Sequence, residues 1–297
     1  MASSALLLFP DFAMIALGLL LRRLPMFEDA FWSGLEKLVY FVLFPCLLFN
    51  SIVATRFDFA AAGSMLLAAL AALAAGALLG GVGRLWARDE RSWASAFQCA
   101  FRFNSYIALA IAGRLGGQTG VATMAILIGI GVPVANAMAV TALARHSELG
   151  LVRELTRNPL LIATSSALLF NVAGLGLPDV VAATFKRAGD ASIALGLIAV
   201  GAGLQLSAWQ GSRLFVAWIT AVKLLAVPAV ALGVGLMLGL GSLQLQMAVL
   251  FAAMPTASSA YILAQRMCGD GRIVALLISA GTLLSALSLP VWLAIVS

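Results

Sequence analysis

The chain has 297 residues, 63% of them hydrophobic and 10% charged, with a mean hydropathy of +1.06. A soluble globule with such a surface would aggregate, so the composition points to a protein whose outside meets a lipid bilayer. The formal charge of +6 does not call for a nucleic-acid partner, because the basic residues follow a membrane pattern.

A span needs roughly 20 apolar residues. Such stretches fall at about 5–22, 31–54, 60–83, 92–114, 119–144, 159–177, 187–207, 213–240, 243–267 and 272–296. The chain is therefore expected to be an all-α multi-pass membrane protein of about ten transmembrane helices. The first stretch has no basic residue before it and no small-residue cleavage pattern after it, so it reads as a span and not as a signal peptide. The connections are too short for a soluble domain. Basic residues mark the cytoplasmic side. Odd-numbered connections hold Arg22, Arg23, Arg84, Arg88, Arg91, Arg145, Arg153, Arg157, Arg213, Arg266 and Arg272, whereas even-numbered ones hold Arg56, Arg114, Lys186 and Arg187. Both termini are thus expected outside, with Lys186-Arg187 against the trend. An Ala-rich composition favouring Arg over Lys suits a bacterial inner membrane.

Two stretches are interrupted by polar residues. The fourth carries Arg102-Phe103-Asn104-Ser105, and the ninth carries Pro255-Thr256-Ala257-Ser258-Ser259. Aligning Arg114-Leu115-Gly116-Gly117 on Arg266-Met267-Cys268-Gly269 places Asn104 opposite Thr256. Open backbone is tolerated in hydrocarbon only where protein or a wet cavity satisfies it. Broken segments at matching places in two halves point to a transporter's binding site. The halves also match where Ser4–Pro25 and Arg157–Pro178 each end in Leu-Pro. Five spans per half, in 1–150 and 151–297, make the second repeat inverted. Gly76 and Gly80, and likewise Gly235 and Gly239, give small-xxx-small faces. These read as packing within the chain, with a homodimer seam as the alternative.

Several stretches taken together resemble the auxin efflux carrier family (AEC, PIN-like), as a bacterial member. They are Phe41 to Phe49 (FVLFPCLLF), Arg157-Asn158-Pro159-Leu160, Gly196 to Leu204, Met254-Pro255-Thr256-Ala257, and Ser285 to Pro290. The resemblance implies ten helices in two inverted five-helix repeats, with helices four and nine broken and crossing at the midplane. It implies transport of small organic anions such as auxin, malonate or malate. It also implies that the crossover asparagine, here Asn104, and polar residues at the ninth-helix break, here Thr256 and its neighbours, meet the substrate. The sequence departs from the family in lacking a proline after Asn104.

An interrupted helix exposes amide donors and the positive end of its second half, which attract an anion. The expected substrate-binding residues are Asn104, Ser105, Arg102, Thr256, Ser258 and Ser259, with Pro255 breaking the helix. The bland alternatives are interhelical hydrogen bonds and hydroxyls bonded to their own preceding turn. Arg102 lies deep in its segment, where a charge must be paired or meet water. Lys223 is similarly deep, although its stem is long enough to reach an interface. Asn50, Gln98, Asn136 and Gln205 are accessory polar candidates. His146 reads as solvated. Asp11 and Asp190 read as lying near span ends. Cys46, Cys99 and Cys268 read as small buried residues without metal-type spacing.

The expected function is a secondary carrier moving a small organic anion by alternating access. Rival readings are a sodium- or proton-coupled symporter of the bile-acid type, an intramembrane enzyme and a membrane ligand sensor. The enzyme reading finds no zinc-ligand helix, nucleophile elbow or acidic metal cluster, and no cofactor is called for.

Overall fold

The computed structural model describes residues 2–54, 59–143, 159–204 and 213–297, and every regular element within them is helical. In chain order these are α1 (Ala2–Leu21), α2 (Asp29–Leu38), α3 (Phe44–Val53), α4 (Phe59–Val82), α5 (Glu90–Phe97), α6 (Ser105–Leu143) and α7 (Pro159–Val172). They continue as α8 (Asp179–Ala202), α9 (Arg213–Ala221), α10 (Val227–Met237), α11 (Ser242–Ala253), α12 (Ser259–Arg266) and α13 (Gly271–Ile295). Among the described residues, five helical segments are long and apolar enough to cross a bilayer: Asp29–Val53, Ala62–Trp86, Glu90–Leu143, Arg213–Met237 and Gly271–Ile295. Phe9–Leu21, Ile162–Val172 and Ser242–Ala253 are shorter apolar helices. The protein is thus an all-α, multi-pass membrane protein. Helices suit this setting because each pairs its backbone groups internally, which hydrocarbon demands.

Prolines shape two of these segments. Pro45 and Pro228 each follow a wide π-helical turn, at Val39–Leu43 and Val222–Ala226. A proline cannot donate to the carbonyl four residues back. For Pro228 that carbonyl belongs to Leu224, and the indole Nε1 of Trp292 donates to it at 2.8 Å. The last helix thereby satisfies a group freed by the proline of another.

Several boundaries differ from the sequence reading. The long α6 is two helices joined at Gly117, whose φ of 55° and ψ of −141° suit glycine. α7 stops at Val172, short of 177, because Gly174 takes a φ of 65° and Leu175 N–H closes the end on Phe170 O at 2.9 Å. α8 begins at Asp179, just after Pro178, so Lys186 and Arg187 lie inside it; Lys186 pairs with Asp190 one turn on at 2.8 Å. Asp11, expected near a span end, is midway along α1 and 3% exposed.

The helices pack as two bundles. One holds α1, α2, α3, α7 and α8; the other holds α4, α5, α6 and α9 to α13, with the long α6 packing against both. In the first, α1 and α8 touch main chain to main chain. A β-carbon on Gly18 would collide with Ile198 O, and one on Gly201 with Ile15 O. In the second, residues Met247 to Met254 are all buried. Lipid is as apolar as leucine, so this core is held by close van der Waals packing more than by exclusion of water. The Gly76 and Gly80 face packs within the chain, on Ala100. Gly239 serves a different end, the turn after α10, with a φ of 65°.

Candidate substrate site at the helix crossing

Two helical paths break inside the second bundle. The first passes from α5 through a short 3-10 turn, Gln98–Ala100, leaves helical geometry at Phe101 and resumes at Ser105. The second leaves α11 at Met254 and resumes at Ser259. Pro255 explains the second break: the residue before a proline is driven out of helical geometry, and Met254 is extended at φ −61°, ψ 140°. The first break occurs with no proline after Asn104. Asn104 instead starts the next helix as its N-cap, its Oδ1 accepting from Tyr106 N–H at 3.0 Å and Ile107 N–H at 3.2 Å. This bonding assigns the amide oxygen inward and leaves Nδ2 without a protein acceptor among the described residues.

The two breaks touch. The backbone N–H of Asn104 donates to Pro255 O at 2.8 Å. The Thr256 hydroxyl donates to Cys99 O at 2.8 Å, so it crosses to the other path instead of bonding its own preceding turn. Gln98 Nε2 donates to Ala260 O at 3.1 Å. Arg102 donates to Gln98 Oε1 and to Ser259 Oγ, each at 3.1 Å. At one end of the crossing, Ser92 donates to Asp270 and Arg91 to Gly269 O; at the other, Gly116 lies against Leu243. The two paths therefore run antiparallel and cross at their breaks.

The electrostatics follow from which helix ends meet there. The positive N-termini of α6 and α12 both point to the crossing. The opposing C-terminal ends carry carbonyls without helical partners, and these are satisfied: Cys99 O by Thr256, and Ala252 O by Lys223 Nζ at 2.8 Å. Lys223 is 2% exposed, so its stem does not reach an interface. Arg102, Asn104 and Thr256 are also buried. A cavity lined by Cys99, Thr220, Lys223, Thr256 and Gly281 has room for about one water molecule. The Oγ of Ser258, half-buried just before α12, has no hydrogen-bond partner.

The structure thus brings Arg102, Asn104, Thr256, Ser259 and Pro255 together, with Ser105 and Ser258 adjacent in chain. It adds Gln98 and Lys223 through their hydrogen bonds. Asn50 on α3 and Asn136 on the second arm of α6 take no part in these bonds, and Gln205 and His146 lie outside the described residues. Tyr106 carried no sequence signal. Its ring packs on Phe44 at 4.9 Å between centroids and fills the space beside Gly196, two residues past Asn104. Of the cysteines, Cys99 is buried and Cys46 half-buried, but Cys268 is exposed with a φ of 56°; it occupies the turn between α12 and α13 and is no core residue. Among the described residues no three His, Cys, Asp or Glu side chains form a metal-binding group.

Residues 142–293, just over half of the chain, match a family described as membrane transport protein. The chain belongs to that family. A relative in Methanothermobacter thermautotrophicus (strain Delta H), described as an uncharacterized transporter, is 26% identical over 289 residues, covering 94% of each chain. The second crossing segment, from α11 to α12, falls inside the matched region of the membrane transport protein family. The chain is therefore a membrane transporter.

Proposed function

We propose that this transporter is a secondary carrier for a small organic anion, a carboxylate of malonate, malate or auxin-like kind, working by alternating access. The observation that carries the reading is the crossing itself: two helix N-termini converge with Arg102, and Asn104 Nδ2 is a spare donor beside them. Such a place favours negative charge over positive. In this reading the substrate carboxylate meets Asn104, Ser105, Arg102, Thr256, Ser258 and Ser259. The membrane path is ten spans in two inverted repeats, 1–150 and 151–297, with both termini outside the inner membrane of a bacterium. The antiparallel crossing supports that topology. The resemblance to auxin efflux carriers supports the substrate class.

Lys223 bears on coupling. Its Nζ occupies Ala252 O, where an unpaired helix end would otherwise attract a metal cation. That favours an uncoupled carrier over a sodium symporter of the bile-acid type. Such a carrier is driven by voltage, at about 2.3 kcal/mol per charge per 100 mV.

The test is uptake of labelled malonate, malate and indole-acetate into proteoliposomes under imposed voltage, with and without sodium or proton gradients. Saturable voltage-driven flux without ion dependence supports the reading. Flux that requires sodium or a proton gradient replaces it with the coupled one. Absence of flux for all three removes the proposed substrate class.

A further inference from the structure

The seam between the two bundles is mostly apolar. Phe44 and Gly196 of the first bundle pack on Tyr106 of the second. Among the described residues, one salt bridge crosses this seam. Arg114 on α6 donates from Nε to Asp11 Oδ2 at 2.9 Å and from Nη2 to Asp11 Oδ1 at 3.0 Å, reaching α1. The fork is bidentate, so both carboxylate oxygens are held in one plane. The Asp11 side chain is 4% exposed and that of Arg114 38%.

We infer that the Asp11–Arg114 pair is a latch that holds the carrier closed on the face where the Gly116–Gly117 turn lies. The inference rests on the alternating-access reading above. Three observations lead to it. First, Arg114 sits on the half-helix that Asn104 caps, ten residues beyond the crossing, or about 15 Å along the axis. It thus stands between the crossing and that face. Second, Asp11 is fixed to its bundle. It shares α1 with Ile15 and Gly18, which meet Gly201 and Ile198 of α8 main chain to main chain, so Asp11 moves only as α8 moves. Third, the crossing is accessible where Ser259 is exposed and Ser105 part-exposed, whereas the Asp11 carboxylate beyond it is buried.

A buried carboxylate is tolerated only against a partner or against water. If the bundles part at this point, water must replace the pair. Breaking the latch and wetting the seam on that face are then one event. Removing Arg114 alone would strand a buried charge and is expected to impair folding. The double neutral variant Asp11→Asn/Arg114→Gln removes the pair and leaves no charge behind.

The experiment reads accessibility, not flux. A thiol is introduced as Ser105→Cys in a chain whose own cysteines are replaced by Cys46→Ala, Cys99→Ala and Cys268→Gly. It is labelled with a membrane-impermeant maleimide in right-side-out and in inside-out vesicles. With the latch intact, the thiol reacts slowly from the Gly116–Gly117 face. In the double neutral variant that rate is expected to rise at least fivefold while the rate from the opposite face falls. The charge swap Asp11→Arg/Arg114→Asp is expected to return both rates toward the parent values. Rates unchanged in the double variant, with labelling from both faces, overturn the latch and leave alternating access standing. Labelling from one face only, in every variant, overturns alternating access itself and the latch with it.

Discussion

Lys223 donates to the main-chain carbonyl of Ala252 at 2.8 Å, so a side-chain N–H caps the C-terminal end of α11 where that path breaks. The cap is buried. Leaving such a carbonyl unmet costs about 1–3 kcal/mol. Lys223→Ala should therefore lower the melting temperature in detergent by several degrees and cut transport at least tenfold. Lys223→Arg keeps a donor but changes its shape, and should retain part of both. If the alanine variant matches the parent in melting and flux, the cap does not support the crossing.

Asn104 holds two tasks that can be separated. Its Oδ1 caps α6, and its Nδ2 is free for a substrate carboxylate. Asparagine and aspartate cap equally well, whereas alanine costs about 1 kcal/mol. Asn104→Asp should keep the melting temperature and lose more than tenfold in anion flux, because it sets like charge against the substrate. Asn104→Ala should lose both flux and stability. Full anion flux in the aspartate variant would remove Asn104 from the site.

Cys268 is a non-glycine residue in left-handed backbone geometry, at φ 56°. For an L-residue this costs roughly 1–2 kcal/mol. Cys268→Gly relieves the strain, offset in part by the greater freedom glycine has when unfolded. A net gain near 0.5 kcal/mol and a slightly higher melting temperature are expected, with unchanged flux. A lower melting temperature would show that the turn draws on the cysteine side chain.

Asp89 caps α5 by accepting from Ser92 N–H at 2.7 Å. That backbone bond, more than any neighbouring charge, holds its carboxyl below the ordinary 3.8. A depressed folded-state pKa adds stability that is fully present above the unfolded value and is lost as pH falls through the folded one. Asp89→Asn, whose amide oxygen caps without a charge, should melt below the parent at pH 7 and converge on it below about pH 3.8. A gap that stays constant down to pH 3 would assign the difference to something other than this carboxylate.

Much of the crossing is readable in the sequence because its causes are local. Pro255 must disrupt its helix, and polar residues in an apolar run must be answered by something. The first break was less obvious, since Asn104 ends it by capping and not by a proline's clash. The Gln98 and Lys223 contacts were unreadable as such: each donates to a main-chain carbonyl, and every residue has one. The Asp11 partnership was hidden for a plainer reason, as Arg114 is 103 residues away in the chain. Lys186-Arg187 drew the predicted start of α8 too late, because paired basic residues look like a connection. Pro178, eight residues earlier, sets the true start.

The contact between the two breaks, Asn104 N–H to Pro255 O, joins main chain to main chain. The bond itself draws on no side chain, so any residue but proline at position 104 carries its donor. A change of side chain there alters what faces the crossing without untying the main chain that forms it.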